Sequence, residues 1–239
     1  MVLVEISEPF FRACKEKKMN KITTVLFDFD GTIMDTNSLI INSWQYTFRT
    51  IEGKERPEAE IIATLGEPLA LSMKNLLPKV PVGQAIEIYR EYQYGNFSDE
   101  INIFPGMLEL IKKLKSQGYK MGIVTSRMIG TTIQGLEKYG IKDCFEAVVT
   151  CDHTDKHKPD PEPVNIALKI LGSKPEESIM IGDSKFDILC AKNAGVKSVL
   201  VGWAIALSGE DREGEGAPEY IIEKAEDLFK LIENDLIWG

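Results

Sequence analysis

Five short runs of apolar, largely β-branched residues constrain this chain more than any other feature. They are ITTVLFD (Ile22 to Asp28), KMGIVTS (Lys120 to Ser126), EAVVTC (Glu146 to Cys151), SIMIGD (Ser178 to Asp183) and KSVLVG (Lys197 to Gly202). Each has strand length and nearly continuous hydrophobicity, as parallel strands covered on both faces require. Between the later runs lie helical patterns with glycine stops: MLELIKKLKSQG ends at Gly118, TTIQGLEKYG at Gly140 and PVNIALKILG at Gly172. Strand, helix and strand in repetition predict an α/β fold built on a doubly wound parallel sheet.

The first strand breaks this rhythm, because roughly 90 residues separate it from the second, far more than one crossover helix needs. The segments SLIINSWQYTFRTI, PEAEIIATLG, LALSMKNLL and VGQAIEIYREYQYGNF between them have helical spacing, and FPG at Phe104 to Gly106 punctuates the return. They predict a small all-helical domain over residues 37–104, inserted into a core domain made of 21–36 and 105–239. The linkers fall near Ile33 to Thr36 and Ile101 to Pro105. Residues 1–20 read as a peripheral N-terminal extension, and SGEDREGEGAPEY, from Ser208 to Tyr220, as a polar acidic loop.

A net charge of −9 and the lack of any long basic run argue against nucleic acid or an anionic membrane surface as partner. No apolar stretch approaches the roughly 20 residues of a bilayer span. The first residues place basic side chains after a short apolar run, the wrong order for a secretory signal, so a cytoplasmic protein is expected, as a monomer or weak homodimer. Cys14, Cys144, Cys151 and Cys190 are widely spaced in a chain too large to depend on disulfides, and are expected as reduced thiols.

In an open parallel sheet, ligands bind beyond the carboxyl ends of the strands, where strand order reverses. Polar groups gather at those ends here. Asp28 and Asp30 close the first strand, Thr125 and Ser126 the second, and Asp183 follows the fourth, with Asp187 one helical turn on. Lys158 lies in HKPDPEP after the third. Carboxylates crowded without partners would repel, raise each other's pKa and lose hydration. A hard divalent cation removes that cost, and Mg²⁺ suits Asp28, Asp183 and Asp187 with a backbone carbonyl better than zinc does. The cation also gives an acidic chain the local positive charge by which to hold a phosphate. Asp28 is then free to attack phosphorus, and the resulting acyl phosphate splits one hard hydrolysis into two easier steps. Asp30 would protonate the leaving oxygen and later deprotonate water, help worth roughly 10² to 10⁴ in rate. Gly31 permits a tight turn, and Thr125, Ser126 and Lys158 would hold the remaining phosphate oxygens.

Taken in order, DFDGT, IVTSR, the Lys158 of HKPDPEP and GDSKFD resemble the four motifs of the haloacid dehalogenase superfamily, over the span Ile22 to Ile232. The resemblance implies a Rossmann-like core, with Asp28 as nucleophile and metal ligand and Asp30 as the acid/base that also offers its carbonyl to Mg²⁺. It further implies Thr125 and Lys158 as phosphate binders, with Asp183 and Asp187 completing the metal site. The helical insertion corresponds to the cap that closes over the site and selects substrates. KPDPEPV and the stretch Gly66 to Pro68 are similar to the superfamily's phosphoglycolate phosphatase and bacterial pyrophosphatase branch. The activity so implied is Mg²⁺-dependent hydrolysis of a small soluble phosphate compound. The same motifs serve phosphomutases, in which the cap decides whether water or a sugar accepts the phosphoryl group, and would also persist in a silent phosphate-binding protein. A dehalogenase needs no acid/base two residues after its nucleophile, so Asp30 argues against that activity.

Other residues carry paired readings. Arg127 is either a contact to a second phosphate or carboxylate of the substrate or a solvated surface arginine. The CDHTDKH stretch from Cys151 to His157 is a zinc cluster or, by the plainer reading, a solvated loop. Asp35 and Asn37 are expected to cap the first inserted helix while facing the cleft, and Trp44, Tyr46 and Phe48 are either substrate contacts or, by the plainer reading, the core of the insertion.

Overall fold

The computed structural model describes residues 21–205, 214 and 216–233. The extension 1–20, with Cys14, and most of the acidic loop from Ser208 lie outside the described residues. The strands are β1 (Thr24–Phe27), β2 (Met34–Asp35), β3 (Asn102–Ile103), β4 (Lys120–Val124), β5 (Ala147–Val149), β6 (Ser178–Gly182), β7 (Lys197–Val201) and β8 (Tyr220–Ile222). The helices are α1 (Asn37–Glu52), α2 (Glu58–Ile62), α3 (Leu69–Leu76), α4 (Val82–Glu100), α5 (Met107–Ser116), α6 (Ile129–Lys138), α7 (Glu162–Leu171), α8 (Lys185–Asn193) and α9 (Ala225–Glu233).

Six strands form one sheet in the order β5-β4-β1-β6-β7-β8, and every neighbouring pair is parallel. Leu26 of β1 stands opposite Gly122 of β4 and Met180 of β6, which fixes the register at the centre. Side chains alternate between two layers, as strand geometry dictates. Val25, Phe27, Met121, Ile123, Ile179 and Ile181 enter one apolar core, which α5, α6 and α9 cover. Leu26, Val124 and Met180 enter a second, which α7 and α8 cover. This is the expected doubly wound α/β sheet. Strand β8 and helix α9 extend it beyond the five expected strands; the run Tyr220–Ile222 is too short to announce a strand by pattern alone.

The helices α1 to α4 fall between β2 and β3, which pair antiparallel where the chain leaves the sheet and returns. They carry an apolar cluster of their own that includes Trp44, Phe48, Ile61, Met73 and Tyr89. Trp44 stacks on Phe48 at 5.4 Å and meets Tyr89 at 5.6 Å, as expected of a helical core, while Tyr46 packs on Tyr92 at 5.4 Å. The start of α1 corrects one expectation, because its N-cap residue is Thr36. The Thr36 hydroxyl is drawn to Asp30 Oδ1 at 2.7 Å, and Asp35 Oδ1 instead accepts from the backbone and side-chain amides of Asn37, at 3.2 and 2.9 Å. Among the described residues, no helix is long and apolar enough to cross a membrane.

Candidate active site

β1 sits between β4 and β6, and the chain departs from it in both directions across the sheet, so its carboxyl end is the switch point of the topology. Asp28 follows β1 directly and is buried, its N–H donating to Ile181 O at 2.9 Å. The backbone then doubles back, with Ile33 and Met34 N–H donating to Phe29 O at 3.1 and 2.9 Å. Gly31 stands in this turn with φ +71°, and a β-carbon on it would lie 2.1 Å from Asp183 Oδ2. Both the backbone and the neighbouring carboxylate therefore demand glycine.

Asp187 is fixed from two sides. Its Oδ2 accepts from Ser184 N–H at 3.1 Å and Ser184 Oγ–H at 2.6 Å, the capping box that starts α8. Its Oδ1 accepts from Lys158 Nζ at 2.5 Å. The same ammonium donates to Asp28 Oδ1 at 2.9 Å and to Val124 O at 3.4 Å, so Lys158 is buried with a carboxylate on either side. Thr125 is buried beside it at the end of β4, and Ser126 lies exposed at the cleft edge. Ser126, like Asp183, has no hydrogen-bond partner among the described residues.

The surface reading of Arg127 is overturned: it is 7% exposed. Its Nε lies 2.9 Å from both oxygens of Asp30, and its guanidinium carbon is 5.1 Å from the Phe97 ring centroid and 5.9 Å from that of Phe29. Asp30 thus accepts from Arg127 and from Thr36 at once. The CDHTDKH stretch is a solvated loop: His153 Nδ1 lies 3.1 Å from Thr150 Oγ1, and His157 is exposed. Among the described residues, the one grouping with metal-ligand spacing is Asp28, Asp183 and Asp187, whose oxygens lie within 4.8 Å of one another.

Burial pushes Asp28 up to about 7 despite Lys158, with Asp187 and Asp30 adding to the rise. Burial, then Asp187 and Asp28, hold Asp183 well above the ordinary carboxylate range. Burial opposes the Lys158 charge, yet Asp187 and Asp28 hold its ammonium above the usual lysine value. Three carboxylates against one ammonium leave two negative charges uncompensated when all are ionised. An all-oxygen donor set with that deficit fits a hard divalent cation such as Mg²⁺.

The cleft above the cluster has a volume of about 170 Å³. Its floor is Asp28, Asp30, Thr125, Lys158 and Asp183; its far wall is Asn37 and Trp44 of α1 and Tyr89, Arg90 and Gln93 of α4. Asn37 and Trp44 were in view in the sequence, whereas Tyr89, Arg90 and Gln93 escaped that reading. They sit among ordinary helical positions, and no spacing rule distinguishes a side chain that faces a cleft from one that faces water.

Residues 25–201 match the family model described as haloacid dehalogenase-like hydrolase. The pyrophosphatase PpaX of Halalkalibacterium halodurans is 38% identical over 212 residues, covering 89% of this chain and 97% of that protein. The pyrophosphatase PpaX of Bacillus pumilus is 35% identical over 214 residues, covering 90% and 98%. A haloacid dehalogenase-like family hydrolase from Streptococcus pneumoniae shares the fold with a TM-score of 0.78 at 28% identity, over 89% of this chain and 99% of that one. With a matching sheet and near full-length relatives, the chain belongs to the haloacid dehalogenase-like hydrolase family.

Proposed function

We propose that this hydrolase is a Mg²⁺-dependent phosphohydrolase acting on a small soluble phosphate compound through an aspartyl-phosphate on Asp28. The observation that carries the reading is the carboxylate cluster at the end of β1, where Asp28 is both buried and bonded to Lys158. The relatives named pyrophosphatase support a pyrophosphate-like substrate, and a phosphoglycolate phosphatase-like activity uses the same floor of the cleft.

Asp28 and Asp183, with the Asp30 carbonyl, would hold Mg²⁺, which when bound neutralises charge between carboxylate and phosphate. Asp187 acts mainly through Lys158, because both its oxygens are already engaged. An incoming phosphate oxygen displaces the weakest Lys158 contact, that to Val124 O at 3.4 Å, and takes further donors from Thr125 and Ser126. Asp30, held by Arg127 and Thr36 beside the nucleophile, serves as acid for the leaving oxygen and as base for water. The unit α1 to α4, residues 37–104, acts as a cap on the core formed by the described residues of 21–36 and 105–239.

The test is phosphate release from pyrophosphate and from 2-phosphoglycolate, with Mg²⁺ and with chelator. Wild type should turn over one of them only with Mg²⁺, and acid-quenched enzyme should retain label from a ³²P substrate. Asp28→Asn should lower turnover by at least about 10⁴ and carry no label. Undiminished turnover in that variant ends the assignment, and a hexose phosphate added to the panel that is isomerised without release of free phosphate would favour a mutase.

A further inference from the structure

Three cations line the cleft: Lys158, Arg127 and Arg90. The first is held by Asp28 and Asp187, the second by Asp30. Arg90 differs, because its one side-chain hydrogen bond among the described residues runs from Nη2 to Met128 Sδ at 3.3 Å. A thioether is a weak, uncharged acceptor. A half-buried guanidinium with five donors in a planar fork is left with its main capacity unused, and that fork matches a carboxylate or phosphate.

Position gives this cation a meaning. In-line displacement at phosphorus sends the leaving group away from the nucleophile. Asp28 lines the cleft from the end of β1 and Arg90 from α4, so a leaving group carried away from Asp28 within the cleft has Arg90 among its available partners. The residue before it adds a donor: Tyr89 Oη accepts from Gln93 Nε2 at 3.1 Å, and its own hydrogen has no acceptor among the described residues. The wall's one carboxylate, Glu67, is engaged by Ser72 Oγ–H at 2.8 Å. The cleft volume of about 170 Å³ is well below the roughly 300–1,000 Å³ of pockets for drug-sized ligands, which limits the leaving group to a compact one.

We infer that Arg90, assisted by Tyr89, binds a second anionic group on the leaving-group side of the substrate. The chain thereby selects compact phosphate compounds whose leaving group is itself a phosphate or ends in a carboxylate. This rests on the phosphohydrolase reading and assigns to α4 the second-anion contact that was one of the two readings of Arg127, which Asp30 engages.

The experiment compares kcat/KM of wild type, Arg90→Gln and Arg90→Lys on three substrates with Mg²⁺: pyrophosphate, 2-phosphoglycolate and ethyl phosphate, whose leaving group is compact and neutral. Arg90→Gln should lose about 10- to 100-fold on whichever anionic substrate the wild type uses, the worth of a hydrogen-bonded charge, and under about 3-fold on ethyl phosphate. Arg90→Lys should recover part of the loss. Thermal unfolding of each variant separates this from a folding defect. The larger loss, on pyrophosphate or on phosphoglycolate, tells the two leaving groups apart. Equal losses on all three substrates, or none on any, overturn the role of Arg90 while leaving the phosphohydrolase reading intact. A wild type inert on all three overturns that reading and this inference together.

Discussion

At Gly31 the backbone runs at φ +71°, and the space a side chain would need is filled by Asp183 Oδ2. Replacement by alanine therefore strains the turn and pushes on a carboxylate that no other side chain holds. Gly53 offers the control, with φ +73° and nothing within 4 Å of a built β-carbon. Each alanine should cost about 1 kcal/mol from φ alone, or about 2–4 °C in Tm for a chain of this size. Only Gly31→Ala should also raise the Mg²⁺ concentration for half-maximal activity, by at least about tenfold if Asp183 is a ligand displaced from the cluster. Metal titration of turnover in both variants checks this, and identical Mg²⁺ curves would show that Asp183 does not touch the cation. The acidic residues themselves were legible, since Asp28, Asp30 and Asp183 stand where strands end. Arg127 was not, because Phe97, one of its two ring neighbours, lies on α4, thirty positions earlier in the sequence and in the other unit.

Between elements, an exposed connection joins α6 of the sheet layer to the end of α4. Lys138 Nζ donates to Ser98 O at 2.7 Å and Ile101 O at 2.8 Å, and Gln134 Nε2 donates to Ser98 Oγ at 2.8 Å. A cation on the last carbonyls of a helix satisfies orphan acceptors and faces the negative end of its dipole. Lys138→Met should thus lower stability by about 1 kcal/mol, roughly 2–4 °C in Tm, with Lys138→Arg near wild type. Calorimetry of the two variants measures the difference, and equal midpoints would show the contact to be energetically idle. The strands were legible from nearly continuous hydrophobicity because both faces are covered, Leu26 on one side and Phe27 on the other. The pairing of β2 with β3 was not, since two residues carry no period and the strands are about seventy positions apart.

For the whole molecule, the insertion could be read from length alone, since a single crossover does not need so many residues. Which of its faces meets the core could not, because that depends on two loops lying against each other. The loop between α2 and α3 does so at Gly66, where φ is +85° and a built β-carbon would stand 2.8 Å from Ser184 Cβ and 3.1 Å from the Phe186 ring. Ser184 cannot give way cheaply, because it is buried and donates to Asp187 at 2.6 Å. Gly66 is exposed, so a side chain there moves the helical unit and opens the cleft over an intact floor. Gly66→Val should therefore lower kcat/KM by at least about tenfold, the scale on which a misplaced closing element acts, with Mg²⁺ half-saturation unchanged. Its Tm should fall by only the few degrees that a strained φ costs, about 2–4 °C per kcal/mol. Steady-state kinetics with metal titration separates this outcome from that of Gly31→Ala. If kcat/KM is unchanged, the approach of Gly66 to Ser184 is not part of closure, and if Mg²⁺ half-saturation moves instead, the displacement has passed through Ser184 into the floor.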